Sequence, residues 1–89
     1  MFYDFRWIDW NVEKVEGHGL SVADVERVVN QARRPYPKPI GNEKWLVVGP
    51  LPGGRVIQVI YLVDEDEKLF VIHARALSNR ERKRHRRNS

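Results

Sequence analysis

The sequence predicts a small α+β domain. Three observations carry that reading: a valine-rich helix with a cap signal at its start, three consecutive strand-like runs joined by short turns, and a basic segment opened by a second cap signal. Eighty-nine residues hold one core. Residues 1–89 therefore read as a single domain, with 78–89 a basic C-terminal helix or tail. The expected architecture is an antiparallel sheet, a meander of three C-terminal strands plus an N-terminal strand, packed by two helices.

The elements follow in order. In "FYDFRWIDW" Tyr3, Phe5 and Trp7 alternate with Asp4, Arg6 and Ile8, a period of two that suggests a short strand. Asn11 is placed to cap a short helix, "VEKVE", which Gly17 ends. Ser21 and Asp24 form an S-x-x-D capping box ahead of Val22, Val25, Val28, Val29 and Ala32, an apolar stripe at helical spacing. That helix stops before Pro35, because the residue preceding a proline disfavours the α region. "RRPYPKPIGNE" reads as a loop. "KWLVVG", "RVIQVIYLV" and "KLFVIHAR" read as strands, joined by "PLPGG" and "DEDE", connections short enough for an antiparallel meander. Ser78 and Glu81 make a second box, S-x-x-E, opening a final helix. Its "NRERKRHRR" has no apolar residue to bury, so it is expected to hold through Leu77 and its first turn and to fray beyond.

Composition narrows the function classes. The chain has no cysteine, which excludes disulfides, thiolate zinc sites and cysteine nucleophiles. Its start carries acids and no basic n-region, unlike a signal peptide, and no run approaches the roughly 18–20 apolar residues that span a bilayer. A cytoplasmic protein without membrane contact is the expectation. Charge is concentrated: residues 74–89 hold seven of the 16 Lys and Arg and one acid, Glu81. With a pI near 9.8 this points to an anionic partner, nucleic acid first among them, against the plainer reading of a solubilising tail.

Three segments together, "DWNVEKVEGHGLSVADVERVV", "GRVIQVIYL" and "VIHARALSNRERKRHRR", resemble the BrnT-like toxin family over roughly residues 5–87. The shared pattern is a Trp start, a short helix, H-G-[VIL]-[ST], a second helix, G-R-x-[LIV] on a strand, I-x-A-R, and an S/T-x-R-E-R run. The resemblance implies a RelE-like fold and a metal-independent endoribonuclease toxin without cofactor. It also implies an antitoxin partner, commonly a ribbon-helix-helix protein. It carries over to His18 and Gly19, to Arg55, to Arg75, and to Arg80, Glu81 and Arg82. Asn11 stands where typical members have Asp, and His85-Arg86 where an aromatic pair often closes the family. The alternative class is a non-catalytic nucleic-acid or antitoxin binding module of the same fold, and a second copy of the chain is a further candidate partner.

Cutting RNA without metal requires deprotonating a 2′-hydroxyl, stabilising the phosphorane and protonating the 5′-oxygen. Histidine suits the proton roles and arginine the charge role. The candidate catalytic residues are therefore His18, Arg55, Arg75 and His73. His73 and Arg75, two apart on a strand, are expected on one sheet face alongside Leu69 and Val71. Each candidate has a plainer reading beside it. Arg75 binds phosphate or pairs with Glu81; His73 transfers protons or is a rim residue; His18 transfers protons or caps the preceding helix. Lys14 adds potential or is solvated, and Gly53-Gly54 before Arg55 approach a ligand or simply turn a hairpin. Glu81 is read as the capping acid rather than a base. Arg80, Arg82, Lys83, Arg84, Arg86 and Arg87 are the candidate RNA-binding set, giving sequence-independent affinity. Phe5, Trp7, Trp10 and Trp45 read as packing residues ahead of base-stacking ones, and Asp64–Glu67 as a solvated turn rather than a metal site.

Overall fold

The computed structural model describes residues 3–88; Met1, Phe2 and Ser89, at the ends of the expected N-terminal strand and basic tail, lie outside them. Three helices, α1 (Asp9–Gly17), α2 (Val22–Asn30) and α3 (Asn79–Asn88), accompany four strands, β1 (Lys38–Pro39), β2 (Lys44–Pro50), β3 (Val56–Val63) and β4 (Leu69–Ala76). The strands form one antiparallel sheet in the order β1-β2-β3-β4. The α+β class and the meander are as the sequence predicts.

The helix starts are set by side chains. At α2 the Ser21 hydroxyl accepts from the Asp24 amide at 3.0 Å, and the Asp24 carboxylate accepts from the Ser21 amide at 3.0 Å, two orphan donors satisfied reciprocally. Val25, Val28 and Val29 then face Val47, Ile57, Val59, Tyr61, Val71 and Ala74, and this valine-rich interface is the core. Each valine or isoleucine among them contributes about 1.5–3 kcal/mol on burial. Gly49 lets the helix come close: a Cβ there would sit 3.2 Å from the Val28 Cγ1. Burial in the same core pushes the Tyr61 phenol up to about 12.

Asn11 does not cap α1 from outside. It is the third helical residue, fully buried, and its Oδ1 accepts from the Ile8 amide at 2.7 Å while its Nδ2 donates to the Arg6 carbonyl at 3.0 Å. It sews the N-terminal segment to the helix. At the other end the Leu20 amide donates to the Val15 carbonyl and the Gly19 amide to the Glu16 carbonyl, a Schellman closure. The helix ends at Gly17, as expected, but the left-handed conformation that the closure needs is taken by Gly19 (φ +75°), two residues on.

The N-terminal segment meets the sheet differently from expectation. Phe5 makes a single parallel bridge to Leu69 at the free edge of β4, through Arg6 N–H to the Leu69 carbonyl and Leu69 N–H to the Asp4 carbonyl. Arg6 also clamps the β3–β4 turn through Asp64 and Asp66, and the Trp7 Nε1 donates to Glu26 of α2 at 2.7 Å. These side-chain ties hold the segment, so it needs no ladder. The fourth strand is instead β1, two residues drawn from the proline-rich stretch read as loop.

One register shift changes the faces of β4. Ile60 pairs with His73 but Tyr61 pairs with Val71, leaving Ile72 as the extra residue of a bulge. Strand alternation is inverted across it. Leu69, Val71 and Ala74 point into the core, while Phe70, His73 and Arg75 share the opposite face with Gln58, Ile60 and Leu62. The expectation that His73 and Arg75 lie alongside Leu69 and Val71 is thus corrected: the alternation it assumed is broken at Ile72.

Candidate functional site

The outer sheet face is apolar at its middle and polar at one end. Leu46, Ile60 and Leu62 are half-buried there, and α2 packs only on the other side. α1 flanks the β4 edge, with Trp10, Lys14 and His18 at i, i+4 and i+8 along one helix face. The Trp10 ring stacks on Phe70 at 5.9 Å, and Lys14 Nζ sits 4.7 Å from the Trp10 centroid. One turn further on, the exposed His18 ring meets His73 edge-to-face, with centroids 6.1 Å apart.

His73 is half-buried, and its Nε2 lies 3.3 Å from the Gln58 amide nitrogen. That contact suits a neutral imidazole accepting from the amide. Burial, reinforced by the charges of Arg75, His18 and Lys14, holds the His73 pKa below the usual histidine value. With Nε2 accepting, the ring proton sits on Nδ1, so His73 can take up a proton at neutral pH only at Nε2, in exchange for the Gln58 contact. Arg55, at the end of the β2–β3 turn, donates from Nη1 to the Gly19 carbonyl at 3.3 Å and so reaches the turn that carries His18. Gly53 and Gly54 both take positive φ in that turn and have nothing within 4 Å of a Cβ position, as in a solvent-facing hairpin.

Arg75 is committed. Its two terminal nitrogens meet the two Glu81 carboxylate oxygens at 2.8 and 2.7 Å, a fork-to-fork pair. Glu81 also accepts from the Ser78 amide at 2.9 Å while its own amide donates to the Ser78 hydroxyl at 3.2 Å. Glu81 is the capping acid, and the Arg75 guanidinium, followed by the Ser78 amide, holds its carboxyl down to about 2. The pair raises Arg75 in turn.

α3 leaves this corner as a continuous helix to Asn88, not fraying after its first turn. Glu81, Arg82 and His85 face the body, and His85 meets the Tyr36 ring at 6.2 Å, a second anchor beyond the first turn. Arg80, Lys83, Arg84 and Arg87 line one solvent-facing groove along the helix; Arg86 is exposed, and Arg82 is turned inward with Glu81.

The fold therefore brings His18 to His73, Arg55 to the His18–Gly19 turn, and the Arg75 charge within electrostatic range of His73. The basic set of α3 is a separate surface. Gln58 was not singled out from the sequence, although its signal was present as a lone polar residue in the apolar run "RVIQVIYLV". Asp64 and Asp66 are engaged by Arg6, and no cluster of three or more His, Cys, Asp or Glu able to hold a metal exists among the described residues. No described helix is long and apolar enough to cross a membrane. Comparison with models of protein families, with curated proteins and with solved structures returns no match to this chain.

Proposed function

We propose that the chain is an endoribonuclease that cuts RNA by metal-independent acid–base chemistry, as the BrnT-like resemblance implies, and works in the cytoplasm as the toxin of a toxin–antitoxin pair with a RelE-like fold. The observation that carries the reading is the His18–His73 pair, 6.1 Å between centroids, ringed by Lys14, Arg55 and Arg75. A phosphodiester seated against the solvent-facing edge of the pair, rather than between the rings, can offer one oxygen to a nitrogen of each ring at about 3 Å. His73, kept neutral, takes the 2′-hydroxyl proton at Nε2 as the hydroxyl displaces the Gln58 amide from that nitrogen. The 2′-oxygen bonds to phosphorus as the P–O5′ bond breaks, and His18 delivers a proton to the leaving 5′-oxygen. The products are a 2′,3′-cyclic phosphate and a 5′-hydroxyl. Lys14 and Arg55 supply positive potential for the phosphorane, while Arg75 positions α3 through Glu81. The half-buried apolar face centred on Leu46, Ile60 and Leu62 is where an antitoxin would dock.

Purified protein incubated with RNA in EDTA tests this. Wild type cuts; His73→Ala and His18→Ala each lose about a hundredfold or more in rate while RNA affinity changes only a few-fold. RNA left intact both free in solution and on translating ribosomes overturns it. That result favours a second reading, a non-catalytic RNA-binding module. The engagement of both Arg75 terminal nitrogens by Glu81 supports that reading, since it removes the arginine best suited to the phosphorane. Under it, removing residues 83–89 weakens binding to every RNA and flattens its salt dependence.

A further inference from the structure

Away from the histidine pair, a crevice opens between the C-terminal end of α2 and the body-facing side of α3. Its apolar lining comes from Val28 and Ala32 of α2 and from Val48 and Pro50 of β2. Tyr36 and His85 line it as well, their rings 6.2 Å apart and tilted by 36°. Arg33 and Arg34 complete it, exposed and without an ion-pair partner among the described residues, and no acid lines it. An apolar crevice with two rings in its lining and unpaired guanidinium groups suits a planar heterocycle attached to an anionic backbone. Placement fits as well. Glu81, joined to Arg75, lies one helical turn, about 5.4 Å, from His85, so the crevice is reached from the histidine corner along α3.

We propose that this crevice is a nucleobase subsite. A base of single-stranded RNA enters against Tyr36 and His85, while Arg33 and Arg34 take the flanking phosphates. The inference rests on the RNA reading above and adds where an unpaired base is held. It also explains why an α3 without apolar residues carries His85 toward the body: that residue closes one wall of the crevice.

The test is binding of a single-stranded oligoadenylate with 2′-O-methyl riboses, which cannot be cut, against its abasic counterpart, followed by fluorescence anisotropy at several salt concentrations. Wild type prefers the base-bearing strand by about fivefold or more, the scale of one aromatic–base stack. Tyr36→Ala and His85→Ala each erase most of that preference and leave the salt slope unchanged, whereas Arg33→Gln with Arg34→Gln reduces the slope. His85→Ala covers the case in which Tyr36→Ala, which touches the core, fails to fold. Equal binding of the two strands by wild type overturns the inference, as does a preference that survives both ring substitutions. A polyglutamate peptide that binds as tightly as the oligonucleotide and depends equally on Tyr36 and His85 also overturns it, reassigning the crevice to an acidic protein segment. If the base preference and its ring dependence hold while RNA in EDTA stays intact, the cleavage reading fails and the subsite stands. If RNA is cut while the preference is absent, the reverse holds.

Discussion

Ser21 with Asp24 and Ser78 with Glu81 close two nearly identical capping boxes, each hydroxyl accepting the amide three residues on and each carboxylate accepting the cap amide. Yet α2 and α3 are held in different ways. α2 follows its box with three buried valines and lies across the sheet. α3 follows its box with arginines and touches the body through the Arg75–Glu81 fork and the His85–Tyr36 contact. A capping box fixes where a helix begins. Whether that helix belongs to the core or to a binding surface is decided by the next two turns.

The comparison breaks first on burial. Val29→Ala removes two methyl groups from a fully buried site and leaves a cavity, so it costs about 2 kcal/mol in global unfolding, read by urea denaturation. Arg84→Ala, on the exposed side of α3, stays within about 0.5 kcal/mol. Equal costs would mean that α3 folds as part of the core.

The caps sharpen it next. Ser21→Ala lowers global stability by about 1 kcal/mol, since α2 cannot loosen without opening the valine interface. Ser78→Ala acts locally: helix content falls and the α3 amides exchange faster, while the urea midpoint hardly moves. Native-state hydrogen exchange separates the two, and a shared shift in midpoint would contradict it.

What the residues announced follows the same division. Both caps, the valine stripe and the three strands have local signatures, and each is where its sequence places it. The bulge at Ile72 has none, because it depends on how β3 and β4 pair, and it alone moves His73 and Arg75 to the face opposite Leu69 and Val71. Nor does any local pattern give the second role of Asn11, bonded to Arg6 and Ile8, or the preference of the N-terminal segment for one parallel bridge. The candidate residues themselves were legible by chemistry. That His18 would meet His73 across α1 and β4, and that Gln58 would sit beneath it, are tertiary facts that spacing along the chain does not encode.

The finest expected effect concerns pH. The Glu81 carboxyl is lowered from an ordinary 4.5 to about 2, so its contribution to α3 is complete above pH 4.5 and is lost as pH falls toward 2. Asp64, lowered by Arg6, shares the direction and loosens the N-terminal clamp under acid as well, so the readout must be local to α3. The suitable probe is exchange at the Arg82 amide, which donates to the Ser78 carbonyl at 2.9 Å. Protection there should fall between pH 4.5 and 2 in the wild type. In Arg75→Ala the loss should be smaller and complete nearer 4.5, because the largest cause of the shift is gone. Glu81→Gln keeps an acceptor for the Ser78 amide but has no charge to lose, so its lower protection should be flat across that window. An unchanged acid profile in Arg75→Ala would mean that the cap alone holds Glu81 ionised, and that the fork to Arg75 follows the position of α3 rather than setting it.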